Sequence, residues 1–282
     1  MTSLAASAAL AISSCSGAAV NSLTPDPSGK VNLDYQNSMI VFPVDAYGIS
    51  ALERSRILLA REVVMTTCMK RFGFMDDPTT AYPKAENRNF GVWNVERVRK
   101  FGFRLIGEDA QSNQKHDEAG AWGEARYECL ASEKSKIDEI TPPDELMNGG
   151  AAAEIALKSL SLASETEAWN NAKDDWDTCI SAAGLTPGLD PANAKWSSQQ
   201  SFDLQVRTDQ QNPSTSDAAE GIRIATIEAE CNQAVRLTQT LGDIQASYQL
   251  PLIKQNEAVL TELKKKSQKY VDAAEKLLKE TQ

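Results

Sequence analysis

Apolar residues recur at three- and four-residue intervals over most of this chain, and that spacing predicts helices. A first helix is expected from Ser50, which forms a capping box with Glu53, through Leu52, Leu59 and Val63 to Cys68, with Gly73 as its stop. Asn94 to Phe101 reads as one or two turns ended by Gly102, and Glu118 to Ile140 as a helix carrying Cys129 and ended by Pro142-Pro143. A long helix is expected from Pro143-Asp144, or from just after Gly150, through Cys179 to Gly184. It places Trp169 and Trp176 two turns apart on one face, where they are expected as core. From Asp217 the pattern is helical to the end, through Ile222, Ala225, Ala229, Val235, Leu241 and Ile244, with Pro251 expected to kink or break it between Tyr248 and Leu252. The closing stripe of Leu260, Leu263, Ser267, Tyr270, Ala274 and Leu277 is weak as a heptad seam and is expected to dock on the protein's own body.

Between these runs the pattern lapses. Met39 to Val44, interrupted by Pro43, reads as an edge strand or an extended packing arm. Long loops are expected over 76–89 and 184–216. Phe72, Phe74, Tyr82, Phe90, Trp93, Phe101 and Phe103 gather around the first, and core or lid packing is favoured over a ligand groove. Ser16 to Gln36, rich in Ser, Gly, Pro and Asn, reads as a flexible tether with a reach on the order of 25 Å.

A repeated grammar organises the helices. Cys68 and Cys179 each follow an apolar residue by three positions (Met65, Trp176) and precede a glycine by five (Gly73, Gly184), with an apolar residue next (Phe74, Leu185). Each copy closes with a later Glu-Cys pair, Glu128-Cys129 and Glu230-Cys231, at similar separations. Four cysteines allow three pairings, and the duplicated order favours disulfides Cys68–Cys129 and Cys179–Cys231 over reduced thiols in a cytosolic protein. The expected fold is all-α: two similar helical modules, each stapled by one disulfide, with long loops and a long C-terminal helix. The boundaries are a signal-peptide-like leader at 1–14, a lipid-anchored tether at 15–38, a first module at 39–142, and a second with its helical extension at 143–282.

Cys15 is left over. Ile12-Ser13-Ser14-Cys15, at the end of a short apolar run, resembles a bacterial lipobox, so Cys15 is expected to carry lipid and hold the protein to the outer face of the cell membrane. Met1-Thr2-Ser3 carries no Lys or Arg for a positive leader, which is read as a start codon placed too late.

Composition narrows the partners. The 282 residues are 41% hydrophobic and 24% charged with a net charge of −10, which argues against a nucleic-acid partner and against broad electrostatic adhesion to anionic lipid. The run Lys264-Lys265-Lys266 is interleaved with acidic residues and reads as a solvated face. His116 is the single histidine, Cys-x-x-Cys is absent, and no nucleotide-binding, serine-hydrolase or EF-hand motif occurs. Asp174, Asp175 and Asp177 on one helix read as solvent-facing rather than as a cation site. No catalytic residue, metal site or cofactor is nominated. A hydrolase built on two distant carboxylates leaves no mark in a single sequence.

Cys68 to Phe74, then Asn89-Phe90-Gly91-Val92 and Lys100-Phe101-Gly102-Phe103, resemble uncharacterised secreted proteins and lipoproteins of actinobacteria with paired-cysteine helical modules. Trp176 to Leu185 is similar to that family's second copy, with Ile180 in place of Met and Leu185 in place of an aromatic. The resemblance implies an extracytoplasmic helical protein and supplies no activity. With the leader and tether, it makes the expected function a lipid-anchored, non-enzymatic protein binding an envelope partner, such as a transporter subunit or a cell-wall enzyme. A cell-envelope hydrolase is the alternative.

Overall fold

A computed structural model describes residues 23–76, 85–105, 117, 119–188, 196–210 and 214–281. These residues form an all-α fold with one small antiparallel hairpin, β1 (Asn32–Asp34) and β2 (Met39–Val41), in register Leu33↔Ile40. Cys15 and His116 lie outside the described residues.

Helix α1 (Ala51–Met69) begins as its sequence predicts: the Glu53 amide donates to the Ser50 hydroxyl at 3.3 Å, and the Ser50 amide donates to the Glu53 carboxylate at 2.8 Å. The repeated glycines also have a common physical basis. Gly73 (φ 88°) and Gly184 (φ 84°) both take the left-handed conformation. In each copy the next amide reaches back over the helix end, Phe74 to the Met69 carbonyl at 3.2 Å and Leu185 to the Ile180 carbonyl at 2.9 Å. The repeat therefore encodes two Schellman helix ends, each holding its cysteine one turn inside.

Those cysteines pair as expected. Cys68–Cys129 and Cys179–Cys231 have Cα–Cα distances of 5.8 and 5.7 Å. The first links α1 to α3 (Ala121–Ser132), and the second links α7 (Glu167–Ala182) to α9 (Thr215–Ala234). Two closed disulfides point to an oxidising, extracytoplasmic environment. Among the described residues no helix is long and apolar enough to cross a membrane.

Several long helices expected from the pattern are broken. Glu118–Ile140 divides at Glu133 into α3 and α4 (Lys134–Ile140). The helix expected up to Gly184 becomes α5 (Asp144–Met147), α6 (Gly150–Ser164) and α7. Gly149, at φ 90°, stops the first of these. Thr166 stops the second: its hydroxyl donates to the Ala163 carbonyl at 2.8 Å and accepts the Trp169 amide at 3.2 Å, so one side chain closes α6 and opens α7. Past Asp217 the breaks fall at Arg236 and Asn256, giving α9, α10 (Leu237–Gln255) and α11 (Glu257–Glu280). The remaining helices are α2 (Val95–Phe101) and α8 (Gln199–Gln210).

Pro251 does not break its helix; it sits inside α10. Proline has no N–H to give the carbonyl four residues back, and that carbonyl, of Ser247, accepts the Asp26 amide instead at 2.8 Å. The stretch expected as a flexible tether is thus docked along α10 from at least Asp26. A Cβ on Gly29 would fall 2.5 Å from the Ala246 carbonyl oxygen, and one on Gly242 would fall 2.6 Å from Val31, so both glycines are there to let the segment approach. Asp243 fastens it, accepting the Val31 amide at 3.1 Å and pairing with Lys30 at 3.3 Å. Val31 enters the core, and β1 follows directly.

Residues on both sides of the expected module boundary at 142/143 share a core. One contiguous core takes Ile57 and Met65 from α1, Trp169 and Trp176 from α7, Leu241 from α10 and Leu260 from α11. Helix α1 packs along α11, and α6 along α10. The closing stripe docks on the body, burying Leu260, Leu263, Ser267, Val271, Ala274 and Leu278, and Lys264-Lys265-Lys266 stays in solvent.

Candidate functional site

The elbow between α9 and α10 carries the most distinctive geometry of the described residues. Arg236 stands between the helices at φ 55°, ψ 34°, a left-handed conformation uncommon outside glycine and asparagine. Its amide donates to the Gln233 carbonyl at 3.2 Å, and its guanidinium is exposed with no ion-pair partner among the described residues. Asn232, in the last turn of α9, makes the elbow rigid: its side-chain oxygen accepts the Thr238 amide at 3.0 Å, and its NH2 donates to the Phe90 carbonyl at 2.9 Å. One buried amide therefore caps the start of α10 and holds the aromatic loop.

That loop and the hairpin form the facing wall. Trp93 donates its indole N–H to the Asn87 carbonyl at 2.8 Å, and Tyr35 meets the Trp93 ring edge-on at 5.2 Å. Asn94 ties the turn of the hairpin down, donating to the Tyr35 carbonyl at 2.7 Å and to the Ser38 hydroxyl at 2.9 Å. Between the walls is a cleft of about 280 Å3, lined by Leu33, Tyr35 and Trp93 on one side and by Asn232, Gln233, Arg236, Thr238 and Gln239 on the other. Tyr35 is 56% exposed at the rim. Thr238 is only 2% exposed, and its hydroxyl has no hydrogen-bond partner among the described residues.

Among the described residues no carboxylate lines the cleft. Asp243, one turn beyond Gln239, pairs with Lys30 and also accepts the Gln239 amide at 2.8 Å. The lining's one formal charge is the Arg236 guanidinium, at the positive end of a helix of 19 residues.

No family model, curated protein or solved structure matches this chain.

One turn before Asn232 on the same face of α9 lies Glu228, 1% exposed. It accepts the Ser198 amide at 2.7 Å, and burial pushes its carboxyl up to about 7 while its hydrogen bonds with Ser198 and Ser201 pull the other way. Its backbone carbonyl accepts the Trp176 indole N–H at 3.3 Å. Phe90, Trp169 and Trp196 meet edge-on in the same core, with centroids 5.6 to 6.2 Å apart. Gly91 lies so close to the Trp196 carbonyl that a Cβ there would sit 2.5 Å from its oxygen. Glu228 is thus enclosed, and its work is to pin the start of α8.

Of the residues singled out in the sequence, Cys68, Cys129, Cys179 and Cys231 form the staples, and Trp169 and Trp176 are fully buried. The aromatic loop divides: Phe90 is core, Trp93 is buried yet reaches the cleft, Phe72 is exposed, and Tyr82 lies outside the described residues. Asp174 and Asp175 are exposed, Asp177 pairs with Lys173, and no metal-binding cluster occurs among the described residues. Sequence reading missed Arg236, Thr238, Asn232 and Glu228. A signal existed for two of them, since Glu228 and Asn232 share the apolar face of α9 with Ile224, Ala225 and Ala229. Val235-Arg236-Leu237 offers no glycine, proline or asparagine to mark an elbow.

Proposed function

We propose that this chain is an extracytoplasmic, non-enzymatic binding protein, held to the outer face of the cell membrane by lipid on Cys15, and that it engages an envelope partner through the cleft at the α9–α10 elbow. The observation that carries the reading is the lining of that cleft. The polar groups of the lining are one guanidinium, three side-chain amides and two hydroxyls, and none of them exchanges a proton readily near neutral pH. The disulfides support the location. The alternative, a cell-envelope hydrolase, needs two carboxylates facing a substrate; the cleft lining has none, and Glu228 is enclosed.

A photo-crosslinking residue in place of Tyr35, at the rim, tests the binding half in the native host. It is expected to give a discrete adduct with an envelope component, whereas the same group at Leu157, exposed on α6, gives none. Equal adducts at both positions, or none at Tyr35, refute it. Cys15→Ala tests the anchor and is expected to move the protein out of the membrane fraction; identical fractionation of variant and parent refutes lipidation.

A further inference from the structure

The cleft has a definite chemical preference. Among the described residues its single charge is a cation with no ion-pair partner, in a protein of net charge −10. It sits at the positive end of α10, where backbone dipoles favour an anion. Thr238, in the first turn of that helix, lines the floor of the cleft with its hydroxyl enclosed. Opposite Arg236 the wall is apolar and aromatic: Leu33, Tyr35 and Trp93.

We propose that this cleft binds a carboxylate carried on an apolar or aromatic body, with the Arg236 guanidinium as the anion's donor and Leu33, Tyr35 and Trp93 as the wall for its body. The inference rests on the reading of the chain as a binding protein and names the ligand class for the same site. A carboxylate suits the lining better than a phosphate dianion, because one guanidinium matches one charge and the remaining polar groups are neutral amides. The cleft's volume of about 280 Å3 fits a single side chain with its terminal carboxylate. Two sources share this chemistry: a free aromatic or apolar acid, and the C-terminus of a peptide.

Titration of the full, disulfide-closed chain by calorimetry distinguishes them. The probes are N-acetyl-L-phenylalanine and the peptide Ala-Ala-Ala-Phe, each as the free acid and as the carboxamide, with inorganic phosphate as a further arm. At least one acid is expected to bind, with its carboxamide at least about ten-fold weaker, the loss typical of a charge-assisted hydrogen bond. Binding by both acids identifies a small acid as sufficient; binding by the peptide alone identifies a chain terminus. Arg236→Gly is expected to cost about ten- to a hundred-fold in affinity, and since glycine accepts φ 55° without strain the variant keeps its fold. Carboxamides as tight as acids, phosphate as tight as the acids, or full affinity in Arg236→Gly overturns the proposal. No binding of any acid, beside a Tyr35 adduct in the envelope, overturns the ligand class and leaves the binding reading standing. Acid binding without a Tyr35 adduct does the reverse.

Discussion

Replacing Glu228 by glutamine isolates the energetic consequence of one buried carboxyl. In the folded protein the group is held at about 7, against an ordinary value of 4.5. At acid pH, below 4.5, the carboxyl is protonated in both the folded and the unfolded chain, and its favourable contribution is complete. As pH rises toward 7 the unfolded chain releases the proton while the folded protein retains it, so stability falls; above 7 the folded protein carries an enclosed charge. A displacement of that size corresponds to about 3 kcal/mol between the two limits. Glutamine has nearly the same shape, can accept the Ser198 amide and does not titrate. The difference in unfolding free energy between Glu228→Gln and the parent is therefore expected to move by about 2 to 3 kcal/mol in favour of glutamine between pH 5 and pH 8. Urea melts of both proteins at several pH values measure it, and the subtraction removes the carboxylates they share. A difference that does not change with pH, or glutamine losing ground as pH rises, refutes the assignment of an enclosed, proton-retaining Glu228.

Two further outcomes follow from the packing. Trp176→Ala is expected to cost about 3 to 5 kcal/mol in denaturant melts, because the ring is fully buried and its indole N–H is bonded to the Glu228 carbonyl; a loss under about 1 kcal/mol would contradict the core placement. Pro251→Ala restores an N–H that competes for the Ser247 carbonyl, so the Asp26 amide is expected to exchange its hydrogen faster by at least about ten-fold, the equivalent of a hydrogen bond's net worth. Unchanged exchange at Asp26 would separate the proline from the docking of the N-terminal segment.

What the sequence disclosed was periodic or repeated. The capping box at Ser50, the glycine ends at Gly73 and Gly184, both disulfides and the buried tryptophans are local or duplicated signals, and all are present. What it concealed depended on tertiary partners. Gly29 and Pro27 look like linker residues, yet Gly29 is small because a helix carbonyl lies against it. Pro251 looks like a helix breaker, yet a distant amide satisfies the carbonyl it leaves free. The α9–α10 elbow depends on Asn232 bonding across it, and a side chain reaching six residues onward has no periodicity to betray it. The cleft was concealed for the same reason, since its walls come from segments some two hundred residues apart.

The docking of residues 26–31 on α10 also decides how the molecule bears load. Along the described N-terminal segment, Leu23 packs against the core, the Asp26 amide is bonded to Ser247, and Lys30 and Val31 are both fastened to Asp243. Ser247 and Asp243 lie about one helical turn apart on α10, the helix against which α6 and α7 pack. Tension thus enters at the middle of the protein rather than at a frayed end, and two points of grip resist rolling better than one. Leu33 and Tyr35, at the lip of the cleft, follow within a few residues. The opening is therefore fixed relative to the docked segment that leads into it, and a load carried by residues 26–31 passes beside the cleft.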